Sequence, residues 1–148
     1  MIHLEKVTPD NWRIGLCVAE DQKGFVADRA VILARAWAYR EYGSRAFIIY
    51  NDDTPVGMAL YHDDPEEPNA CVFDQFFIDH RWQGRGFGLE AARLLLGLME
   101  EDGRFDRVYL CYIEGDIAAK NLYEKLGFYE TGFVEEDEVE MEKLLRDR

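Results

Sequence analysis

The sequence predicts a single α/β domain with a mixed, mostly antiparallel sheet, a central parallel β-α-β unit and flanking helices. The chain has 148 residues, which is the size of one domain. Its strand-like and helix-like segments follow the order β-α-α-β-β-β-α-β-α-β-β. In the middle of that order, a glycine-rich stretch separates a strand from a helix, as in a right-handed crossover between parallel strands. Residues 1–148 are therefore expected to form one domain.

The first third of the chain predicts one strand and two helices. Residues 2–7 alternate apolar and polar side chains, which is typical of a strand with one buried face. Thr8-Pro9-Asp10 is a suitable helix start and predicts a short helix toward Glu20. Residues 27–42 predict a second helix that ends before Gly43. The face expected to pack on the sheet comprises Ala27, Ala30, Val31, Ala34, Trp37 and Ala38.

Six more strands and two more helices follow. A polar turn that ends in Pro55 joins the first two of these strands into a hairpin, and the next strand, helix and strand form the β-α-β unit. A helix with Asp116 as its cap and a last hairpin complete the order. The strands are residues 45–50, 56–61, 70–79, 107–113, 128–134 and 139–144, and the helices are residues 86–102 and 116–126.

The composition favours cationic partners. The chain has 17 basic and 30 acidic residues, a net charge of −13 and a pI near 4.6. That charge repels phosphate backbones, so we expect no nucleic-acid partner. It attracts cationic small molecules or basic protein tails, although the same charge also serves solubility.

Cysteine usage and hydropathy predict a cytoplasmic protein. Cys17, Cys71 and Cys111 are odd in number and far apart, so they indicate neither a disulfide framework nor a metal site. The sequence has no signal peptide and no apolar run of about 18 residues, so we expect no membrane partner. The reducing cytoplasm is the expected location.

Gly84, Gly86 and Gly88 predict an anion-binding loop. They lie between a predicted strand and a predicted helix, where backbone without Cβ atoms can approach a ligand closely. The N–H groups and positive dipole end of the helix favour a phosphate or pyrophosphate, and Arg81 and Arg85 can add charge-assisted bonds. The spacing fits neither a Walker loop nor G-x-G-x-x-G. A tight turn without a ligand is the alternative.

Two motifs resemble those of a known enzyme family. Gln83-Gly84-Arg85-Gly86-Phe87-Gly88 matches Q/R-x-x-G-x-G/A, the acetyl-CoA pyrophosphate motif of the GNAT family of N-acetyltransferases. Residues 116–128 resemble the family's second motif, N-x-x-A-x-x-x-Y-x-x-x-G-F, with Asp116 where the family often carries Asn. The order of elements also matches that family, so the resemblance spans almost the whole chain.

The resemblance implies acetyl-CoA as the co-substrate and a set of residues that bind it. The pantetheine arm would lie along Phe77 and Ile78, where their strand splays away from residues 109–113. Asn121 would face the same arm, although an exposed polar helix residue is the alternative. The residues that would hold the pyrophosphate are Gln83, Gly84, Arg85, Gly86, Phe87 and Gly88.

Two residues are expected to move protons. The tyrosine of the second motif falls on Tyr123, whose phenol can donate a proton to the departing CoA thiolate. The alternative is that Tyr123 only packs against Ala119. The attacking amine must lose a proton, and Asp74 is the candidate acceptor because it is a charge in an otherwise apolar strand. A salt bridge or an edge position is the alternative for Asp74.

The expected acceptor is a polyamine. Asp74-Gln75-Phe76-Phe77 and residues 2–11 resemble the bacterial spermidine/spermine acetyltransferase branch of the family. An acidic cleft would concentrate such a polycation. The acidic turn at Asp63-Asp64 and Glu66-Glu67 is expected to be a solvated loop. The residues expected to border the cleft are Glu135, Glu136, Asp137, Glu138, Glu20, Asp21 and Asp28.

Other functions are open at the level of the sequence. The acceptor can instead be a protein N-terminus, an aminoglycoside or an amino acid. The chain can also be a non-catalytic module that binds acyl-CoA. Because members of the family often form dimers, a homodimer is expected by analogy.

Overall fold

The computed structural model describes residues 1–17, 19–20, 23 and 28–146, and it confirms the mixed α/β fold. The described residues form seven strands and three α-helices. The strands are β1 (Ile2–Lys6), β2 (Arg45–Asn51), β3 (Thr54–Asp63), β4 (Ala70–Ile78), β5 (Arg107–Ile113), β6 (Tyr129–Glu135) and β7 (Glu138–Leu144). The helices are α1 (Arg29–Ala38), α2 (Phe87–Asp102) and α3 (Ile117–Lys125), with short 3-10 turns at Arg40–Tyr42 and His80–Trp82.

The strands form one sheet in the order β1-β2-β3-β4-β5-β7-β6. Neighbouring strands are antiparallel except β4 and β5, which are parallel and are connected through α2. This is the mostly antiparallel sheet with a central parallel unit that the sequence predicts. Strand alternation sends successive apolar side chains to opposite faces, so the sheet has a core on each side. Helix α2 covers one core and α1 the other, and no described helix is long and apolar enough to cross a membrane.

The strands β4 and β5 separate soon after they begin. Residues 70–72 pair with residues 107–109, and the pairing ends there. β4 continues to Ile78 and β5 to Ile113, so their carboxyl ends diverge and leave a gap in the sheet. The carboxyl ends of parallel strands are where ligands bind in α/β folds, and this gap therefore positions the candidate site.

The predicted helix toward Glu20 does not form within the described residues. Residues 9–13 form turns, and residues 14–17 have no regular structure. The Asn11 side chain bonds to the backbone that precedes it. Its Oδ1 accepts from the Thr8 N–H at 2.7 Å, and its Nδ2 donates to the Lys6 carbonyl oxygen at 3.0 Å. Asparagine competes with the helical backbone in this way, so the helix prediction was wrong.

Helix α1 turns a different face to the sheet from the predicted one. Ile32 is its buried residue, and Ala27 lies outside the described residues. Apolar residues occur all around this helix, so their period does not select one face. The face that packs is the one from which Arg35 reaches Asp74 on β4. The described members of the predicted face, all exposed, are Ala30, Val31, Ala34, Trp37 and Ala38.

We expect Gly57→Ala to lower the free energy of unfolding by about 1–3 kcal/mol, as overpacking of a well-packed core does. A Cβ atom on Gly57 would overlap the Phe77 carbonyl oxygen on the neighbouring strand, and the fixed pairing of β3 with β4 prevents relief. Gly97→Ala in α2 is the matched control, since its Cβ would meet no atom within 4 Å. Chemical denaturation should show a gain of up to about 1 kcal/mol for this control. Equal stabilities for the two variants would contradict the close packing of Gly57 against the Phe77 carbonyl oxygen.

Candidate active site

The first of two cavities lies along the glycine loop, and we call it the loop cavity. Its volume is ≈ 290 Å³. It lies between the carboxyl end of β4, the loop before α2 and one face of α3. Its walls include Phe76, Phe77, Ile78, Trp82, Gln83, Gly84, Gly86, Phe87, Gly88, Asp116, Ala118, Ala119, Leu122 and Tyr123.

The loop backbone has the shape of an anion cradle. Gly84 and Gly86 adopt left-handed conformations, with φ of +78° and +83°, which strain other residues. A Cβ atom added to either glycine would meet no atom within 4 Å, so this side of the loop is open. Gly86 also caps α2 without a side-chain hydrogen bond, which leaves the first N–H groups of that 16-residue helix available to a ligand.

Arg81 and Arg85 both have partners within the protein. Arg81 forks onto the fully buried carboxylate of Asp79 at 2.9 and 3.0 Å. The Arg85 guanidinium lies 5.1 Å from the centre of the Trp82 ring. Asp79 also accepts from the N–H groups of Cys17 at 2.8 Å and Arg81 at 2.9 Å. The glycine loop therefore presents backbone groups to a ligand. The hydrogen bonds of Asp79 to Arg81 and Cys17 connect the start of this loop to the N-terminal segment.

The second cavity, which we call the acidic cavity, lies between β4, β5 and β7 and has a volume of ≈ 360 Å³. Among the described residues that line it, five carboxylates face one guanidinium, that of Arg35. Such a surface attracts cations and repels anions. The carboxylates belong to Asp64, Asp74, Asp116, Glu138 and Glu140.

In the last hairpin, the acidic groups that line the acidic cavity belong to strand β7 and not to the turn. Of the four acids predicted there, Glu138 lines the cavity, and so does Glu140, which the prediction left out. Glu138 and Glu140 lie opposite Ile113 and Cys111 of β5. They share one face of β7 because their positions differ by two. The predicted acids that lie outside this lining are Glu135, Glu136 and Asp137.

The other predictions about acidic residues near the cleft also differ from the structure. Glu20 is exposed and Asp28 caps α1, and neither lines the cavity. Asp21 lies outside the described residues. Asp64 was expected in a solvated turn, yet it lines the cavity. Its N–H donates to the carbonyl oxygen of Ala70 at 3.0 Å, which fixes this part of the turn to the start of β4.

The negative potential of the acidic cavity acts on Cys111, which lies in its wall. Burial raises the pKa of the Cys111 thiol, and the charges of Glu138, Glu140 and Asp74 raise it further, to about 11. Negative charge favours the neutral thiol over the thiolate. The same potential would favour a bound ammonium group.

Asp74 lies in a hydrogen-bonded cluster at the wall of the acidic cavity. Its side chain is 7% exposed, and Arg35 donates to both carboxylate oxygens at 2.9–3.1 Å. His62 Nε2 lies 3.0 Å from Oδ2, and the Gln75 amide donates to Oδ1 at 3.1 Å. Burial acts to raise the pKa of Asp74, but the bonds from His62 and Arg35 outweigh it and lower the pKa. The salt bridge is therefore present, and proton acceptance by Asp74 stays a prediction.

The two cavities meet at residues that line both of them. Tyr123 packs edge-on against Phe73 and Phe128, with ring centres 6.2 and 5.8 Å apart. Burial and the charge of Asp116 raise the pKa of Tyr123, so the phenol stays protonated at neutral pH. The residues in both walls are Phe76, Asp116, Ala119 and Tyr123, of which Asp116 and Tyr123 carry polar side-chain atoms.

The acetyltransferase (GNAT) family profile matches residues 10–128. The chain belongs to this family. Membership makes the protein an acyltransferase that uses acetyl-CoA as its co-substrate, and it confirms the resemblance drawn from the two sequence motifs.

Relatives of this GNAT protein include enzymes with named amine substrates. A spermine/spermidine N(1)-acetyltransferase of Bacillus subtilis (strain 168) is 30% identical over 138 residues, which cover 88% of this chain and 90% of the relative. Solved structures share the fold at 17% identity. They include AAC(6')-Ib with ribostamycin and coenzyme A, which has a TM-score of 0.80 over 97% of this chain and 93% of that one. A Vibrio cholerae spermidine N-acetyltransferase with CoA and spermine has a TM-score of 0.76 over 97% and 95%.

The loop cavity of this GNAT enzyme fits the co-substrate. Its open left-handed glycines suit a diphosphate, and Phe76, Phe77 and Ile78, which belong to the unpaired part of β4, line the same cavity. Two predicted residues, Arg85 and Asn121, are absent from the described lining, and Asn121 is exposed on α3. The predicted residues that do line the cavity are Phe77, Ile78, Gln83, Gly84, Gly86, Phe87 and Gly88.

The sequence contained signals for some of the residues that the prediction missed. Arg35 is a charge within an apolar helix, which is the same criterion that identified Asp74. Glu140 follows the predicted Glu138 by two residues, and their alternation with valine and methionine is a strand pattern that places both on one face. The position of Asp116 between two cavities has no such signal, because a capping aspartate needs no second role.

We expect Asp79→Asn to reduce the unfolding free energy at pH 7 by about 2 kcal/mol. Burial acts to raise the pKa of Asp79, but bonds from Arg81 and Cys17 lower it from 3.8 to about 2. A depressed carboxyl pKa stabilises the folded state above the unfolded pKa, and that contribution disappears as pH falls toward the folded pKa. Urea denaturation should therefore show the difference at pH 7 and a much smaller one at pH 2.

The control for this experiment is Glu66→Gln, which removes an exposed carboxylate from the acidic turn. It should leave the stability unchanged at both pH values. A loss in Asp79→Asn that has the same size at pH 7 and pH 2 would show that the ionised carboxylate does not stabilise the loop.

Proposed function

We propose that the protein is an acetyl-CoA-dependent N-acetyltransferase that transfers an acetyl group to a primary amine of a polyamine such as spermidine or spermine. The observation that carries the proposal is that a cavity suited to anions meets a cavity suited to cations. One is an anion cradle of backbone groups, and the other is lined by carboxylates. Where they meet, an amine held by the acids can reach a thioester held by the cradle.

A polyamine fits the acidic cavity better than a monoamine does. Several carboxylates spread along its wall can pair with several ammonium groups of one flexible chain, whereas a monoamine engages one of them. The name of the relative that is 30% identical to this chain supports the same class. Aminoglycosides are the second candidate, because they too are polycationic amines and AAC(6')-Ib has the same fold.

In the proposed binding mode, acetyl-CoA lies along the loop cavity and supplies an activated acyl group as a thioester. Phe77 and Ile78 would border the pantetheine arm, and Asn121 would reach it from the exposed face of α3. The diphosphate would be held by Gln83, Gly84, Arg85, Gly86, Phe87 and Gly88. Arg85 would leave the Trp82 ring to pair with a phosphate.

Tyr123 is the proposed proton donor to sulfur. It lines both cavities, and a phenol carries its proton at neutral pH. A thiol has an ordinary pKa of about 8.5, so a phenol near the sulfur can share or donate its proton as the carbon–sulfur bond breaks. The phenol then regains a proton, so the tyrosine is unchanged after each turnover.

Two expectations from the sequence stay proposals. We propose a cytoplasmic location on the ground of the unpaired cysteines among the described residues. We also propose a homodimer, because α1 and the edge strand β6 expose large apolar side chains. These are Val31 and Trp37 on α1, and Tyr129, Phe133 and Val134 on β6.

We expect thiol release from acetyl-CoA to be fastest with spermidine or spermine in a panel that also contains kanamycin, an amino acid and a lysine peptide. The double variant Glu138→Gln/Glu140→Gln should raise KM for spermidine about 5–10-fold, as loss of two partly exposed ion pairs implies. KM for acetyl-CoA should not change. Glu66→Gln removes an acidic charge outside the cavity and is the matched control.

Other results of this panel would contradict the proposal. A preference for kanamycin would favour the aminoglycoside, and a preference for the peptide would exclude a polyamine function. Acetyl-CoA binding in calorimetry without thiol release for any amine would identify a non-catalytic acyl-CoA-binding module.

We expect Tyr123→Phe to lower kcat about 100-fold, in the range found for loss of a general acid. The Kd for acetyl-CoA should stay within about twofold, because the ring that packs against Phe73 and Phe128 is retained. Tyr129→Phe, an exposed tyrosine that bonds Glu142, is the control and should keep full activity. A Tyr123→Phe enzyme with normal kcat would leave Tyr123 as a packing residue.

A further inference from the structure

Asp116 has a carboxylate oxygen that the fold does not use. The residue caps α3, where Oδ1 accepts from the Ala119 N–H at 3.1 Å. Its other oxygen has no hydrogen-bond partner among the described residues and is open to the cavities. The residue as a whole is 7% exposed. Because this oxygen is open, it can accept a hydrogen bond or a proton from a ligand.

Asp116 is also the carboxylate nearest to where the chemistry must take place. Of the five acids that line the acidic cavity, it alone lines the loop cavity as well. The proposed reaction joins a nitrogen from one cavity to a carbon from the other, so it takes place where their walls coincide. Tyr123, the proposed proton donor, is the other residue with polar side-chain atoms at that place.

The other carboxylates are occupied or lie outside the junction. Both oxygens of Asp74 already accept bonds, and its lowered pKa makes it a weak base. Asp64 and Glu140 each accept hydrogen bonds with one oxygen, as Asp116 does, but neither of them lines the loop cavity. Glu138 is exposed on β7 and does not line the loop cavity. Asp116 is therefore the available acceptor at the junction.

We propose that Asp116 is a catalytic residue that accepts the proton which the substrate nitrogen loses as it bonds to the acetyl carbon. This inference rests on the proposed N-acetyltransferase function. It replaces Asp74 as the proton acceptor and leaves Asp74 the role of fixing Arg35 and His62 in the cavity wall.

The proton balance of the step is complete. The ammonium first loses one proton to water, because the free amine is the nucleophile. The nitrogen–carbon bond then forms, the carbon–sulfur bond breaks, and the nitrogen gives a second proton to Asp116 while Tyr123 gives one to sulfur. Asp116 passes its proton to the tyrosinate, so the products are the amide, the CoA thiol and one proton in solution. The nitrogen becomes strongly acidic once it bonds to the acyl carbon, so a carboxylate is basic enough for this transfer.

The use of an aspartate as the cap of α3 gives the inference its specificity. Asn would cap the helix equally well but cannot accept a proton. The aspartate therefore adds a basic oxygen without a structural need for it. Its surroundings also carry the charges of Arg35, Asp64, Asp74, Glu138 and Glu140 and the phenol of Tyr123.

Asp116→Asn tests the proposal because it keeps the helix cap and changes the base. We expect kcat with spermidine to fall about 100-fold or more, with Kd for acetyl-CoA and for spermidine within about threefold of wild type. Asp74→Asn is the matched control in the same cavity and should raise KM for spermidine with less than a tenfold loss of kcat. A normal kcat in Asp116→Asn, or a 100-fold loss confined to Asp74→Asn, would overturn the proposal.

Two further measurements separate a catalytic role from a structural one. Asp116→Ser keeps a capping hydroxyl and leaves space, so added formate should restore activity at least tenfold, and absence of rescue would count against the proposal. Without any substrate, ultraviolet titration of the Tyr123 phenol, taken as the difference from Tyr123→Phe, should move to lower pH in Asp116→Asn. An unchanged titration would mean that Asp116 does not face Tyr123.

Different experimental results would contradict this inference and the proposed function. If the wild-type protein releases no thiol with any amine of the panel, the function itself is wrong. If wild-type turnover is normal and Asp116→Asn matches it, the enzyme is an acetyltransferase whose proton acceptor lies elsewhere.

Discussion

The divergence of β4 from β5 is the constraint on which the site depends. Three residues of each strand pair, and beyond them the sheet is open between its central strands. Continued pairing would satisfy the backbone of β4 but would close the space where the two cavities meet. Unpaired strand backbone is tolerated where a ligand or water can form hydrogen bonds with its N–H and C=O groups. The gap in the sheet therefore leaves backbone groups that a bound ligand can pair with. The flanking antiparallel strands hold the sheet together across this opening.

Charge is distributed so that each side of the gap attracts a different substrate. The loop offers backbone N–H groups at the start of α2, where a diphosphate is favoured, and the acidic cavity offers carboxylates for ammonium groups. Attraction has a chemical consequence, because negative surroundings favour the protonated amine, which cannot attack. In the proposed mechanism, water takes this first proton, and a base beside the electrophile takes the second one after the nitrogen bonds to the acetyl carbon. The bonds of Arg35 and His62 to Asp74 stabilise the cavity wall but make that carboxylate unsuited to the task.

The sequence predicted the strands, the glycine loop and the third helix closely because each has a local cause. Apolar and polar side chains alternate along the strands, and the loop contains glycines that can adopt left-handed conformations. The third helix begins after Asp116 and ends before Gly127. The errors have non-local causes. Apolar residues surround α1, so its buried face depends on where Arg35 finds Asp74, 39 positions along the chain. The acidic cavity likewise combines carboxylates from four separate segments, and no local pattern shows that Asp64 and Glu140 share a wall.

The spacing of the second motif explains how one helix can hold both an acid and a base. Positions 116, 119 and 123 differ by three and four, so they lie along one face of α3. Asp116 and Tyr123 are two turns apart, about 10 Å along the axis. Helical side chains lean toward the N-terminus, so the tyrosine ring extends back toward the cap. Ala119 lies between them and has no side chain large enough to separate them. The influence of Asp116 on the pKa of Tyr123 is the result of this geometry. Because a single helix sets the separation, the proposed proton donor and the proposed acceptor keep their relative positions even when the strands on either side of the gap adjust to a substrate.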